Sequence, residues 1–528
     1  MYLGLAQINP IVGDLSSNVT KIIGVIDEAI DQKVELVVFP ELVVTGYPPE
    51  DLLLKPQFIA DNLAALDKIT KACKGIAAYV GFVDKKNNKL YNAGAFIVNG
   101  KVVKIYHKMN LPNYAVFDER RYFSEGDKPA IAYYKGVKIG LGICEDLWIE
   151  KAPNVKNANK GAKLNLYINA SPYHLGKINE REKLLKKKAK AGKAYVAYVN
   201  MIGGQDELVF DGGSMMVDPK GKVIAACDQY EEELLIFDLY KDRMENEWVD
   251  EHEEIYKALS LGTRDYVNKN GFSDVLIGVS GGIDSALTLA IAVDALGKEK
   301  VHAVFMPSEY TAHQSYEDAK KICANLGVKL DEIPIKYTFS TYLNNLSPLF
   351  QGKPVGIAEE NLQARVRGNY LMALSNKFGW LVLTTGNKSE MSTGYCTLYG
   401  DMAGGFAVLK DVPKTMVYKL VEWRNSAKEA IPQTIIDRPP TAELKPDQKD
   451  QDTLPPYDVL DAIIQAYVEE NKSLKQIIAL GFDEATVKNV IAMIDRSEYK
   501  RRQSPPGPRI TKRAFGKDWR LPITNHYR

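Results

Sequence analysis

The sequence predicts two α/β domains in series, the first made of mixed sheets covered by helices and the second of an open, doubly wound parallel sheet. Three observations carry that prediction. At 528 residues the chain exceeds what one hydrophobic core organises, so at least two are expected. Through residue 240, β-branched runs outnumber helical stretches, and some are joined by hairpin signals such as Asn99-Gly100. Beyond residue 270, apolar runs of strand length alternate with helical stretches, the βαβ rhythm of a parallel sheet.

Taken in order, LGLAQINP opens as a strand, and apolar residues at helical spacing predict a helix over 19–32. VELVVFPE is the next strand, followed by a helix over 58–73. Further strands are AAYVGFVD, the hairpin AGAFIVNGKVVKIYHK, VKIGLGICED, LNLYINAS, AYVAYVNMIGG, GSMMVDPKGKVIAAC and EELLIFDLY. The charged run EREKLLKKKAKAGK over 180–193 is read as the solvated face of a surface helix rather than a nucleic-acid site. Over 241–270 the helical spacing of Met244, Trp248, Ile255, Leu259 and Tyr266 predicts a connecting helix pair. VLIGVS, VHAVFMP, KLDEIPI and GWLVLTTG supply the second sheet, a Pro-rich acidic loop covers 437–457, and a helical tail follows. The expected boundaries are 1–240, a helical connector over 241–270, and 271–528.

Charge is balanced, 68 Lys plus Arg against 67 Asp plus Glu, which gives no global attraction to nucleic acid or an acidic membrane. The N-terminal MYLGLAQINPIVGD lacks a charged segment leading into a long apolar one, and no stretch approaches the ~18 apolar residues of a membrane span. A cytoplasmic protein is expected. Cys73, Cys144, Cys227, Cys323 and Cys396 are odd in number and scattered, without a CxxC pair, so neither a disulfide framework nor a zinc knuckle is expected.

The most specific chemical signal is VLIGVSGGIDSA, an apolar run ending abruptly at Ser-Gly-Gly-Ile-Asp-Ser. Gly281 and Gly282 carry no Cβ, so backbone N–H groups at the start of the next helix can approach phosphate oxygens. Ser280 and Ser285 add hydroxyls, and Asp284 is a candidate Mg²⁺ ligand. No Lys follows the glycines, which excludes the GxxxxGK(S/T) loop that serves β and γ phosphates. The pattern resembles the pyrophosphatase loop of the N-type ATP-pyrophosphatase superfamily. That resemblance implies a Rossmann-like sheet of the adenine nucleotide alpha hydrolase type, and ATP, as co-substrate, held by Gly278, Val279, Ser280, Gly281, Gly282, Ile283, Asp284 and Ser285.

Three strand ends in the first half carry reactive groups: Glu41 after VVFP, Lys108 after VKIYH and Cys144 after KIGLGI. Singly each has a bland reading, a core cysteine or a solvated charge. Together they supply what attack on an amide needs: a sulfur nucleophile, a proton carrier and a cation for the developing oxyanion. A nearby Lys is expected to lower the Cys144 pKa. The segments FPELVVTGYPPEDLL, YHKMNLPNYAVFDERRYF and GICEDLW resemble the three signatures of the nitrilase superfamily. The resemblance implies an αββα sandwich with Glu41 as general base, Lys108 stabilising the tetrahedral intermediate and Cys144 forming a thioester. In the glutaminase branch it further implies glutamine contacts at Tyr114, Ser171 and Lys177.

An amidase that frees ammonia, joined to a domain that activates a carboxylate with ATP, resembles the glutamine-dependent NAD⁺ synthetase family over essentially the full chain. The resemblance implies conversion of deamido-NAD⁺, ATP and glutamine to NAD⁺, AMP, pyrophosphate and glutamate, with ammonia channelled between domains and the chain assembled as a homo-oligomer. EENLQARVRGNYLMALSN would place Asn361, Arg365 and also Arg367 toward the dinucleotide, Arg being suited to phosphate and to stacking on a base. TTGNKSEMSTGYCTLYGDMAGGFAVLKDVPKT would supply Thr385 and Lys414 to ATP, and Glu390 to Mg²⁺ or the dinucleotide. RPPTAELKPDQKDQDTLPPYDVLD adds Thr441 as an ATP contact, and SEYKRRQSPPGPRITKRAFGKDW adds Lys500 as a dinucleotide contact. Two alternatives stand beside this reading: another glutamine-dependent adenylating amidoligase, or an ammonia-only synthetase carrying a non-catalytic first domain.

Overall fold

The computed structural model describes every residue except 150–156, 158, 159, 245, 246, 447 and 528. Two compact units emerge, Met1–Asp250 and Glu251–Arg528.

The first unit holds two six-stranded sheets on one plan. In each, three parallel strands at the centre are flanked by antiparallel partners. The parallel strands are Tyr2–Gln7, Leu36–Val38 and Ala77–Lys86 in one sheet and Val137–Ile143, Leu164–Asn169 and Tyr195–Asn200 in the other. Alternation along each strand decides its two faces. Leu3, Leu5, Leu36 and Val38 meet Ile139, Leu141, Leu166 and Ile168 in one core, so the sheets pack face to face. The intervening Val37, with Ala6 and Phe39, turns to the opposite side, against Val19, Ile22, Ile26 and Ile69 of helices Leu15–Asp31 and Pro56–Ala72. On the far side of the second sheet, Tyr167, Val196 and Tyr198 pack on Ile178, Leu185 and Ala189 of helix Lys177–Gly192. The layers are therefore helix, sheet, sheet, helix, as expected. Two features were not anticipated: strand Ala130–Tyr134 and the hairpin of Ile202–Gln205 with Leu208–Asp211.

Two expectations need correction. The run over 180–193 is a helix, but not uniformly a solvated face, because Arg181 and Lys188 are buried in it. Arg181 is neutralised by Asp211, its Nη1 donating to Oδ1 at 2.7 Å and to Oδ2 at 2.8 Å, and both side chains are 0% exposed. Breaking such a pair strands a buried charge, at a cost of about 3–5 kcal/mol. Arg181→Met is therefore expected to lower hydrogen-exchange protection of strands Leu164–Asn169 and Tyr195–Asn200 by that amount. Also, over 241–270 the described residues form one helix, Glu251–Lys269, rather than a pair. Trp248, read as part of the connector, instead donates its indole N–H to Glu182 of the first unit at 2.6 Å.

The second unit centres on five parallel strands ordered Leu330–Glu332, Val301–Phe305, Val275–Gly278, Leu381–Thr384, Phe406–Ala407. The first strand in sequence is central, so the winding reverses between Val275–Gly278 and Leu381–Thr384. Loops leaving the carboxyl ends of those two strands diverge there, opening the crevice where open α/β sheets take ligands. A helical cluster built on Leu460, Ile463, Val487, Val490, Ile494, Phe515 and Trp519 follows the sheet. No helix among the described residues is long and apolar enough to cross a membrane.

Candidate active sites

In the first unit the carboxyl ends of Leu36–Val38, Lys101–His107, Val137–Ile143 and Leu164–Asn169 lie at one edge. Glu41, Lys108, Cys144 and Ser171 follow these strands, so the fold itself gathers them. Lys108 Nζ donates to Glu41 Oε1 at 2.7 Å and to Glu119 Oε1 at 2.8 Å, with all three side chains buried. Glu41 also accepts from Asn92 Nδ2 at 2.7 Å on Oε1 and from Ala170 N at 2.9 Å on Oε2. Oε2 is thus the less burdened oxygen and the better proton acceptor.

Cys144 caps the short helix Glu145–Trp148 with φ of 38°, a left-handed conformation that a non-glycine residue holds only when its surroundings impose it. Its thiol corrects the sequence reading. Burial pushes the thiol well above its ordinary pKa, the Glu41 carboxylate pushes the same way, and Lys108 opposes them without prevailing. The physical reason is that the Lys108 ammonium is already divided between two carboxylates. The resting nucleophile is a neutral thiol, so its proton must pass to a base as it attacks. Iodoacetamide labelling of Cys144 in the unliganded protein is expected to be slower at pH 7–8 than that of an ordinary thiol, whose pKa is about 8.5. The rate should still be climbing above that value, as peptide mass spectrometry can follow.

The candidate glutamine contacts surround this centre. Tyr114, 55% exposed, donates to Glu145 Oε2 at 3.0 Å. Lys177 places its ammonium 3.9 Å from the centroid of the Trp148 ring and donates to Glu180 at 3.1 Å. Ser171 is buried, its Oγ accepting from Arg181 Nε at 3.3 Å and its carbonyl from Arg181 Nη2 at 2.7 Å. Sequence reasoning passed over Glu119, Glu145 and Asp146, although all lie inside the quoted signatures. Burial pushes Glu119 up to about 7 against the pull of Lys108, so this acid shares the centre's charge without holding it firmly.

In the second unit the residues 279–282 join strand Val275–Gly278 to helix Ile283–Leu296. Gly281 has φ of +79°, and a Cβ there would come 2.2 Å from the Ser315 carbonyl oxygen, so only glycine fits. Gly282 N–H donates to Ser280 Oγ and Ser280 N–H to Ser285 Oγ, each at 3.2 Å, while Ser285 Oγ donates to the Gly282 carbonyl at 2.9 Å. Across the sheet reversal, Asp284 Oδ1 accepts from Asn387 Nδ2 at 3.0 Å, and Oδ2 is ion-paired to Lys414. Asn387 caps helix Lys388–Thr393 reciprocally with Glu390, so Asp284, Glu390 and Lys414 form one group beside the loop. Thr385 immediately follows the strand Leu381–Thr384.

Asn361, Arg365 and Lys500 converge on one segment, although each is engaged within the chain. Thr397 Oγ1 donates to Asn361 Oδ1 at 2.8 Å, Arg365 Nε to the Leu398 carbonyl at 3.2 Å, and Lys500 Nζ to the Gly394 and Cys396 carbonyls at 2.7 and 2.8 Å. Arg367 Nε donates to the Met306 carbonyl at 3.0 Å, and burial depresses its guanidinium to about 10. Thr441 accepts from Glu443 N–H at 3.3 Å, and Glu443 in turn accepts from Ser315 Oγ at 2.8 Å, which ties this loop to the backbone under Gly281. A support the sequence did not disclose is Lys388, 0% exposed, which bonds Asp411 at 2.9 Å, Glu469 at 2.7 Å and Thr511 Oγ1 at 2.7 Å. It fastens the C-terminal segment to the helix bearing Glu390.

Among the described residues no group of three His, Cys, Asp or Glu side chains is placed to hold a metal ion. Asp284 and Glu390 do form a pair of hard oxygen donors, and burial followed by the Asp284 charge pushes Glu390 well above the ordinary carboxylate range. That pair suits a divalent ion arriving with further oxygen ligands on a triphosphate.

Comparison with known proteins agrees with both halves. Residues 3–246 match the carbon-nitrogen hydrolase family and residues 255–504 the NAD synthase family. The chain is 47% identical to the glutamine-dependent NAD(+) synthetase of Thermotoga maritima, covering 99% of this chain and 98% of that protein. It is 46% identical to the enzyme of that name from Aquifex aeolicus, over 100% of both. The solved structure of the glutamine-dependent NAD⁺ synthetase from Acinetobacter baumannii in complex with ADP is 45% identical, with a TM-score of 0.81 over 99% of this chain and 98% of that one.

Proposed function

The chain belongs to the glutamine-dependent NAD(+) synthetases, and we propose that its two units divide the reaction between the centres described above. The protein is a glutamine-hydrolysing ligase that amidates deamido-NAD⁺ to NAD⁺ with ATP. The observation that carries the division is the Glu41–Lys108 pair at 2.7 Å, electrostatically coupled to Cys144. A scaffold that had lost its chemistry has no need of two buried charges behind a strained cysteine. This argues against the ammonia-only alternative.

In the first unit, Glu41 Oε2 takes the Cys144 proton as sulfur attacks the side-chain amide of glutamine. The Lys108 ammonium stabilises the oxyanion. Glu41 returns the proton to the departing nitrogen, ammonia leaves, and a γ-glutamyl thioester remains at Cys144. Water then attacks with Glu41 again as base, releasing glutamate and restoring the thiol. Glu145 and Lys177, of opposite charge at the same edge, suit the α-ammonium and α-carboxylate of the amino acid.

In the second unit, the carboxylate of the pyridine ring attacks the α-phosphorus of ATP, expelling pyrophosphate, and ammonia then displaces AMP from the acyl-adenylate. The 279–282 backbone and the Ser280 and Ser285 hydroxyls receive the phosphates, with Lys414 neutralising charge. Thr385 and Thr441 complete the ATP contacts, and Asn361, Arg365, Glu390 and Lys500 line the dinucleotide side. Mg²⁺, held by Asp284 and Glu390, would supply charge neutralisation on the polyphosphate.

We place the protein in the cytoplasm, where its five free cysteines remain reduced. We also assign it a homo-oligomeric state. Helices Lys336–Phe350 and Ile357–Phe378 expose Tyr337, Leu349, Ile357, Met372 and Phe378, and a second copy would cover them. Sedimentation of the full chain measures that state. The reaction itself is tested by incubating the protein with ATP, Mg²⁺, deamido-NAD⁺ and amide-¹⁵N glutamine. The label is expected in the NAD⁺ carboxamide, and ATP consumption without labelled NAD⁺ would refute the reading.

A further inference from the structure

Asp146 is fully buried two residues after Cys144, yet it takes no part in the chemistry assigned above. Its carboxylate collects five hydrogen bonds from two separate stretches of chain. Oδ1 accepts from Met109 N at 3.1 Å, Asn110 N at 3.0 Å and Asn110 Nδ2 at 2.8 Å. Oδ2 accepts from Tyr106 OH at 2.7 Å and Ile143 N at 3.2 Å. One set of donors flanks Lys108 and the other immediately precedes Cys144.

We propose that Asp146 is the positioning residue that sets Lys108 and Cys144 relative to each other, so that cation and nucleophile meet the same amide carbonyl. This inference rests on the glutaminase reading of the first unit. Three physical points support it. Cys144 has a left-handed backbone, and the bond from Ile143 N–H to Asp146 Oδ2 closes a turn across it. With the Leu147 N–H to Cys144 carbonyl bond at 2.9 Å, it holds a conformation that the residue would otherwise leave. The Lys108 loop cannot drift independently either, because the two successive N–H groups after Lys108 close on the same carboxylate. Finally, four of the five bonds use N–H donors and the fifth a hydroxyl, so only a carboxylate satisfies them all. An Asn amide must turn an NH₂ toward one group of donors.

The test uses the full-length protein and separates nitrogen sources. Asp146→Asn is expected to lower glutamine-driven kcat about 100-fold, with KM for glutamine and ammonia-driven NAD⁺ formation within about threefold of the unaltered chain. Loss through KM alone, equal loss with both nitrogen sources, or a kcat above half of normal would each overturn the proposal. If the variant does not accumulate as folded protein, Tyr106→Phe and Asn110→Ala decide instead. Each is expected to lower glutamine-driven kcat severalfold at constant KM, and unaltered kcat in both would overturn the assignment. Cys144→Ala in the same assay checks the underlying reading separately, because glutamine-driven turnover in that variant would sink the glutaminase centre itself.

Discussion

Cys144→Ala is expected to lower glutamine-driven NAD⁺ formation by about 10⁴-fold or more, while ammonia-driven formation stays within about twofold. The first effect follows from the chemistry of the centre. Glu41 and Lys108 remain in place, but neither can form the thioester through which the amide nitrogen is expelled. The second follows from the division of the chain, since Cys144 belongs to the first unit and the nucleotide loop to the second. The protein should also remain folded. Cys144 is a small buried side chain at a strand end, and alanine conserves its methylene. Parallel assays with glutamine and with ammonium salt at fixed ATP and deamido-NAD⁺ measure the two rates. Equal loss of both would mean that Cys144 serves the synthetase reaction and that the division of labour is wrong.

Asp284→Asn should behave in the opposite way, lowering NAD⁺ formation about 10³-fold with either nitrogen source and leaving glutamine hydrolysis near normal. Asp284 sits at the second position of its helix, paired to Lys414 and accepting from Asn387. The amide keeps its size and one acceptor but loses the charge that balances Lys414 and that we propose faces the polyphosphate. On the division proposed above, glutamine hydrolysis, followed as glutamate release, draws on Glu41, Lys108 and Cys144 and has no use for that charge. Ammonia-driven synthesis within tenfold of the unaltered chain would sink the metal-facing role of Asp284. A loss of glutamate release as large as the loss of synthesis would instead show that the first unit depends on it.

Much of the architecture is legible in the sequence because it depends on local periodicity. LGLAQINP and VELVVFPE are read as strands from their apolar runs, and the structure turns Leu3, Leu5, Leu36 and Val38 to one side and Ala6 and Val37 to the other. The nucleotide loop is legible for a similar reason. Gly281 must be glycine where a backbone carbonyl crowds its Cβ position, and such constraints appear as local composition. The run over 180–193 reads less well. Seven of its nine charges do face solvent or the margin, but Lys188 is buried, and Arg181 finds Asp211 thirty residues away and is drawn inside. Over 241–270 the described residues form one helix, Glu251–Lys269, and Trp248 lies ahead of it with its indole N–H bonded to Glu182.

A strand-end Glu, Lys and Cys beside an ATP-type glycine loop on two α/β units is already legible in residue order, and the class of reaction follows from it. How each group is charged and held emerges only when the chain folds. Folding made Cys144 a neutral thiol rather than a thiolate, by burial and by letting Glu41 and Glu119 share the Lys108 charge. It also fixed Lys388 between Asp411, Glu469 and Thr511, and Asp146 between the Lys108 and Cys144 segments. The reason is physical. Residue type and spacing reveal what a side chain can do, whereas its protonation and orientation are sums over neighbours that the chain brings together only on folding.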